Sequence, residues 1–218
     1  MESILQEYDA KLMLRAGSLI GLDEVGRGAL AGPVFTAACL VKQDFFLDKN
    51  NISSTARFRD SKKMSANLRE QAFENLMHLK TIGSVDFEIA SASVQEIESL
   101  NISGATRLSF DRSLKALHER NPSSRQSLIL IDGKPLKDFP YVHQAIVGGD
   151  DQSLSIACAS ILAKVARDRF MDAMGDQFPH YNWQKNKGYG TQFHREQIRL
   201  VGPSPEHRAL FLRKILNK

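Results

Sequence analysis

Apolar and β-favouring residues crowd two stretches near the start of the chain, SLIGLDE (18–24) and GPVFTAACLV (32–41), with a glycine-rich turn between them. The pattern predicts two strands joined as a hairpin. A short helix is predicted before them over 3–14, and the polar stretch 45–63 after them predicts irregular chain. Helical spacing opens at Ser65 and Ala66 and runs to about His78, with Leu68, Ala72, Phe73, Leu76 and Leu79 as apolar positions. Val85, Phe87 and Ile89 alternate within 81–91, which predicts a strand. Ser93, with Glu96 three residues on, has capping-box spacing and opens a helix over 93–100. A second helix is predicted over 104–120, ended by Asn121-Pro122. The apolar run 127–132 reads as a buried strand and 141–149 as a further one. The strongest helical pattern runs from Ser153 to Met174, with Cys158, Ile161, Leu162 and Val165 as its buried stripe. A glycine and aromatic loop (180–191), a helix over about 191–200 and a last helix capped by Ser204, with Pro205 in its first turn, complete the chain. This order predicts an α/β sheet opened by an antiparallel hairpin and followed by a helical C-terminal part.

Composition narrows the class. A chain of 218 residues, 42% hydrophobic and 25% charged, is that of a globular protein with one full core. No apolar run has bilayer length, so no membrane contact is expected. The N-terminus MESILQEYDAKLMLRAG carries acids and lacks the apolar core of a secretory signal. Cys39 and Cys158 sit far apart in apolar runs, without zinc or disulfide spacing, and are expected to be reduced packing residues in a cytoplasmic protein. Net charge is +4, but residues 160–218 hold 11 Lys and Arg against 5 Asp and Glu, so the tail section is basic and the body leans acidic. That suits a polyanionic ligand on the tail and cations on the body, although solvated helix faces explain the charge alone more simply.

Asp23, Glu24, Asp132 and Asp150 fall at predicted strand ends or before a helix, with Gly26, Gly133 and Gly149 beside them. Strand ends of α/β sheets are where ligands bind. Carboxylates without His or Cys suit hard cations such as Mg²⁺ or Mn²⁺, and two such ions serve phosphodiester hydrolysis. Each acid alone has a plainer role. Asp150 or Asp151 is placed to cap the long helix, and Asp132-Gly133 is a common turn dipeptide. Glu24 on a regular strand points away from Asp23. The set of four, with the glycines, outweighs these readings. Gly26-Arg27-Gly28 is no dinucleotide fingerprint, because strand residues follow it where a helix is required and the third glycine comes one residue late. Such a turn aims backbone groups at a small polar target, such as a sugar hydroxyl.

GLDEVGRGALAGP, FRDSKKMS (58–65), LILIDG (128–133), GGDDQSLSIACASILAKVARD (148–168), NKGYGT (186–191) and GPSPEHRALF (202–211) together resemble the bacterial ribonuclease HII family, the type 2 ribonucleases H. The resemblance runs in order from about residue 18 to 211. It implies an α/β, ribonuclease H-like mixed five-stranded sheet flanked by helices, with a helical C-terminal extension. The domains it implies are a catalytic part over 1–190 and a basic, substrate-clamping segment over 191–218. It implies an endonuclease that cuts RNA in RNA–DNA hybrids and at single ribonucleotides in duplex DNA, leaving 3′-hydroxyl and 5′-phosphate ends with Mg²⁺ or Mn²⁺, as a monomer without an obligate protein partner. The family's four acids fall on Asp23, Glu24, Asp132 and Asp150. Its 2′-hydroxyl-contacting turn falls on Gly26, Arg27 and Gly28, its junction-sensing tyrosine on Tyr189, and its phosphate-holding stretch on Lys62 and Lys63. Arg195, Arg199, Arg208, Arg213 and Lys214 are the C-terminal cations open to phosphate contact.

Four positions depart from the family pattern. Ala29 stands where many relatives have proline, Cys158 where the helix usually has alanine, and Asp151-Gln152 replaces a pair that often includes lysine. The last adds a negative charge beside Asp150. Two other readings compete: a sister-type ribonuclease H that cuts hybrids only, usually with an extra N-terminal domain where this chain has 22 residues before Asp23, and a binder without catalysis, which would lack an acid. None of the histidines is assigned to catalysis, and His207 is expected to be structural.

Overall fold

A computed structural model describes residues 3–216. Residues 1, 2, 217 and 218, which belong to the two segments expected from the sequence, and the side chain of Lys214 lie outside the described residues. The elements in chain order are α1 (Ile4–Ala16), β1 (Ser18–Val25), β2 (Val34–Lys42), α2 (Lys49–Thr55), α3 (Ala66–Thr81), β3 (Val85–Ala92), α4 (Val94–Arg120), β4 (Leu128–Asp132), β5 (His143–Ile146), α5 (Leu154–Gln177), α6 (Trp183–Asn186), α7 (Gln192–Val201) and α8 (Ala209–Leu216). The strands form one sheet in the order β3-β2-β1-β4-β5. β1, β2 and β3 pair antiparallel, and β1-β4 and β4-β5 pair parallel. The mixed, helix-flanked sheet is a ribonuclease H-like fold.

Strand alternation builds a core on each face. Leu19, Ala37, Cys39, Val41 and Leu130 pack with Ile156, Cys158, Ile161 and Leu162 of α5 and with α1 and α3. Ile20, Leu22, Ala38, Leu40, Ile129 and Ile131 pack with Phe110, Leu114 and Leu117 of α4. Both cysteines are free and buried. Gly21 lies between β1 and α5, where a Cβ would overlap the Ser155 backbone. The absent side chain lets helix and strand approach closely.

The helix signals from the sequence have physical counterparts. Ser93 and Glu96 form the reciprocal capping box, at 3.2 and 2.9 Å. The break expected between 100 and 104 is a kink at Asn101, whose φ is 58°. Its Oδ1 accepts from the Ser103 and Gly104 amides at 2.9 and 3.1 Å and recaps the second half of α4. Stretch 45–63 contains α2, which its composition hides because KNNISST carries no apolar periodicity. Polar bonds hold it, with Gln6 Nε2 donating to Ile52 O at 2.7 Å and to Thr55 Oγ1 at 2.8 Å. Strand β5 is shorter than 141–149.

The last helix is a correction. Ser204 does not cap it, and α8 begins at Ala209. The backbone of 206–208 is committed elsewhere: Gly32 N donates to Glu206 O at 2.8 Å, Arg208 N donates to Leu30 O at 2.9 Å, and Ala31 bridges His207. A helix beginning at Pro205 would give up those bonds. Leu30, Ala31, Met171, Trp183, Ile198 and Leu212 form a third core that ties the C-terminal helices to the turn after β1.

Candidate active site

Register brings the acids together. Leu22 and Ile131 are the last paired residues of parallel β1 and β4. Asp23 and Asp132 follow in step, on the face that carries Leu19 and Leu130. Parallel neighbours lie about 4.8 Å apart, so the two carboxylates share one edge. Asp132 Oδ1 accepts from Gly149 N at 2.7 Å, which fixes the short turn Gly149–Asp151 against β4 and delivers Asp150 beside it. Asp150 does not cap α5, because Ser153 Oγ accepts from the Ile156 amide at 3.4 Å and is the cap. Gly133, at φ +88°, turns the chain there as the Asp-Gly pair predicts. Glu24 sits in regular pairing opposite Thr36, so its side chain leaves on the other side from Asp23. It accepts from Arg27 Nη1 at 3.0 Å.

Two clefts meet at Glu24. One, of about 480 Å³, is lined by Asp23, Glu24, Ser61, Lys62, Ser160 and Tyr189, among others. The other, of about 550 Å³, is lined by Glu24 and Asp132 with the cations Arg27, Arg107, Lys134 and Lys137. A larger cleft of about 700 Å³, between α2 and α3, contains none of the predicted site residues. Asp23, Lys62 and Tyr189 therefore line one cleft and Arg27 and Asp132 the other, with Glu24 common to both; Asp150 lines neither, and the Lys63 ammonium pairs with Asp151.

The acids carry more negative charge than their surroundings offset. Burial and the Glu24 charge push Asp23 well above the ordinary carboxyl range, with the Ser160 hydroxyl acting against them. Burial also raises Glu24, although Arg27 opposes it. Burial and the nearby Asp132 and Asp60 charges push Asp150 up to about 6. Lys62 is the chief local cation, with Nζ 3.5 Å from Asp150 and 3.8 Å from Asp60. Burial alone would lower its pKa, but the Asp150 and Asp60 charges outweigh that and raise it. Oxygen-only donors with uncompensated charge fit hard divalent cations.

Among the described residues, the acids set closest together are Asp60, Asp150 and Asp151, whose oxygens lie within 4.8 Å of one another. Lys62 and Lys63 already sit among them, so this triple is an ion-pair cluster. Asp60 also accepts from the Lys62 amide at 2.9 Å and shapes the turn that presents both lysines. Sequence reasoning used the lysines of FRDSKKMS and missed Asp60, although it opens the same motif.

It also missed Arg167 and Arg208, both fully buried. Arg167 donates to Pro33 O, Ala31 O and Lys187 O at 3.1, 3.2 and 2.9 Å. Arg208 donates to Gly32 O, Arg27 O and Ala29 O at 2.9, 3.1 and 2.9 Å. Two guanidiniums thus hold the carbonyls of the turn after β1. Gly26, at φ +91°, could carry no side chain, since a Cβ would strike Arg167. Arg167 lies in a motif whose arginine has no role in the sequence reading, and Arg208 stands there only as a cation open to phosphate contact. Burial also removes Arg208 from the cations open to phosphate.

A ribonuclease H-like sheet with a carboxylate edge at the ends of its central parallel strands defines a class of metal-dependent nucleases. Within that class, the family model for ribonuclease HII matches residues 20–214. A ribonuclease HII of Ehrlichia chaffeensis is 37% identical over 99% of this chain and 98% of its own length. One from the Wolbachia of Brugia malayi is 42% identical over 90% and 88%. A crystal structure of Bst-RNase HIII in complex with Mn²⁺ has the same fold, with a TM-score of 0.70, 19% identity and coverage of 95% of this chain and 72% of that one. The chain belongs to the ribonuclease HII family, and so is a metal-dependent endonuclease of ribonuclease H type acting on RNA in RNA–DNA hybrids. Among the described residues no helix is long and apolar enough to cross a membrane.

Proposed function

We propose that this enzyme also cuts duplex DNA on the 5′ side of single embedded ribonucleotides, leaving 3′-hydroxyl and 5′-phosphate ends. The observation that carries the reading is the meeting of Asp23, Glu24 and Tyr189 in one cleft, with Arg27 of the Gly26-Arg27-Gly28 turn bonded to Glu24 from the neighbouring cleft. Asp23, Glu24, Asp132 and Asp150 are the residues that would hold two divalent ions, Mg²⁺ or Mn²⁺. When bound, such ions lower the pKa of water and stabilise a departing 3′ oxygen.

The chain's own groups do the positioning. The Glu24 amide donates to Asp23 Oδ1 at 2.8 Å and orients that carboxylate. Lys62 offsets Asp150 while its ammonium stays largely exposed, which suits a substrate phosphate; Lys63 is the alternative, at present paired with Asp151. A Cβ at Gly28 would meet no protein atom, so the missing side chain leaves room outside the protein, where a ribose 2′-hydroxyl can reach the backbone. The Tyr189 ring, with Arg167 Cζ 5.3 Å from its centroid, is held against the cleft to stack on the sugar beyond the ribonucleotide. The basic segment over 191–218 closes on the duplex through Arg195, Arg199 and Arg213.

A DNA duplex with one ribonucleotide, incubated with Mg²⁺ or Mn²⁺, tests the reading. A single cut 5′ of the ribonucleotide with a 3′-hydroxyl supports it. Cutting of uniform hybrids alone would assign the chain to the sister-type specificity.

A further inference from the structure

Behind Tyr189 lies a buried relay that the catalytic reading leaves unused. His194 and His207 are 0% and 4% exposed. The Ser204 amide donates to His207 Nδ1 at 2.9 Å. His207 Nε2 lies 3.0 Å from His194 Nε2, and His194 Nδ1 lies 2.9 Å from the Tyr189 carbonyl. Trp183 Nε1 donates to His194 Nε2 at 3.0 Å.

The ends of this chain fix its protons. An amide can only donate, so His207 Nδ1 accepts and its proton is on Nε2. A carbonyl can only accept, so His194 carries its proton on Nδ1 and offers a lone pair at Nε2. The indole of Trp183 donates to the same lone pair, so His194 Nε2 is a three-centre acceptor shared by two N–H groups. Both ends and the middle agree on one neutral arrangement, running from Ser204 N–H through His207 and His194 to Tyr189 C=O. Tyr181 packs edge-on against His207 at 4.6 Å and Trp183 tilts against it at 5.4 Å, so the rings have little freedom to turn.

The Tyr189 loop is fastened on its other sides as well. Leu30 N donates to Gly188 O at 2.8 Å, and Arg167 holds the Lys187 carbonyl. We propose that His194 and His207 are positioning residues for Tyr189, fixing its backbone from the C-terminal segment so that its ring meets the substrate sugar at a set height. The inference rests on the junction-reading role of Tyr189. His207 touches no substrate and acts through His194. Burial and the neighbouring His194 hold His207 neutral, down at about 4, which keeps the relay intact across the working pH range.

The test compares cutting at a single ribonucleotide in DNA with cutting of a uniform RNA–DNA hybrid. His207→Phe keeps the aromatic packing and removes the relay, whereas His207→Gln can still accept at one end and donate at the other. The expected result is about a tenfold fall in the junction-to-hybrid ratio for His207→Phe, with hybrid cutting within about twofold and selectivity restored in His207→Gln. His194→Met has the same expectation from the other end and does not depend on the first variant folding. Tyr189→Ala is measured alongside. If Tyr189→Ala leaves the ratio unchanged, the role of Tyr189 itself is wrong. If Tyr189→Ala lowers the ratio and the relay variants do not, the positioning role is overturned. ¹⁵N-resolved imidazole spectra of the unaltered protein give an independent readout: a proton on His207 Nδ1, or none on His194 Nδ1, would sink the relay.

Discussion

The two buried polar regions of this protein follow opposite rules. At the sheet edge, Asp23, Glu24 and Asp150 are all pushed above the ordinary carboxyl range, because burial and mutual repulsion exceed what Lys62 and Arg27 supply. Behind Tyr189, the two histidines, Trp183 and Arg167 spend their donors on fixed acceptors. The first region is electrostatically unfinished and improves when cations arrive. The second is closed by its own donors and acceptors, with the buried Nη2 of Arg208 as its one unpartnered group among the described residues. Unpaired charge in a cleft marks where chemistry enters, and closed hydrogen-bond networks mark what holds the chemistry in place.

The largest expected effect breaks the unfinished side. Asp23→Asn should lower Mg²⁺-dependent hybrid cutting by on the order of 10³–10⁴-fold while duplex affinity changes little. Initial rates and a metal-free binding titration check it, and near-normal turnover would remove Asp23 from the site. The next effect breaks the closed side. Arg208→Met strands three carbonyls and should cost about 3–5 kcal/mol of stability, read as a lower urea midpoint.

Acid separates the regions more gently. An unfolded histidine titrates near 6.5, and folding depresses His207 to about 4. Its contribution is therefore fully present above the unfolded value and is lost as pH falls toward 4, amounting to at most about 3 kcal/mol. Asp9 runs the other way. Burial raises it to about 6, its Oδ2 accepts from Ser155 N at 2.7 Å, and its Oδ1 has no partner. Its stabilising share is present below about 4 and disappears as pH rises through 6. Unfolding curves from pH 4 to 7 should flatten at the acid end in His207→Gln and gain stability at neutral pH in Asp9→Asn. The smallest effect belongs to the exposed pair Lys63–Asp151. Asp151→Asn should leave the melting temperature unchanged and tighten duplex binding about twofold at low salt, since it frees a cation for phosphate.

The sequence was most informative where one residue type and one period carry the signal. The apolar, β-favouring runs 18–24 and 127–132 located two strands with Asp23 and Asp132 at their ends, and the Ser93–Glu96 spacing located a helix start. The same alternation correctly sends Glu24 away from Asp23. Other features depend on partners distant in the chain. Helix α2 exists because Gln6 satisfies it, and Ser204 fails as a cap because residues 30–32 claim the backbone after it. Arg167, Arg208 and the tautomers of His194 and His207 are defined by carbonyls and amides, and those carry no side-chain signature to read. Asp60 differed only in emphasis, for its motif was recognised and its lysines taken as the whole of it.

One missing carbon sets the gauge of the active edge. Because residue 21 has no side chain, the amino end of α5 rests directly on β1, and the turn bearing Asp150, which leads into that helix, comes to rest against the strand end bearing Asp132. Even an alanine there would act as a shim. It would lift the helix and carry one acid away from its opposite number without touching either, so the spacing between the charged groups is decided two positions upstream of the first of them.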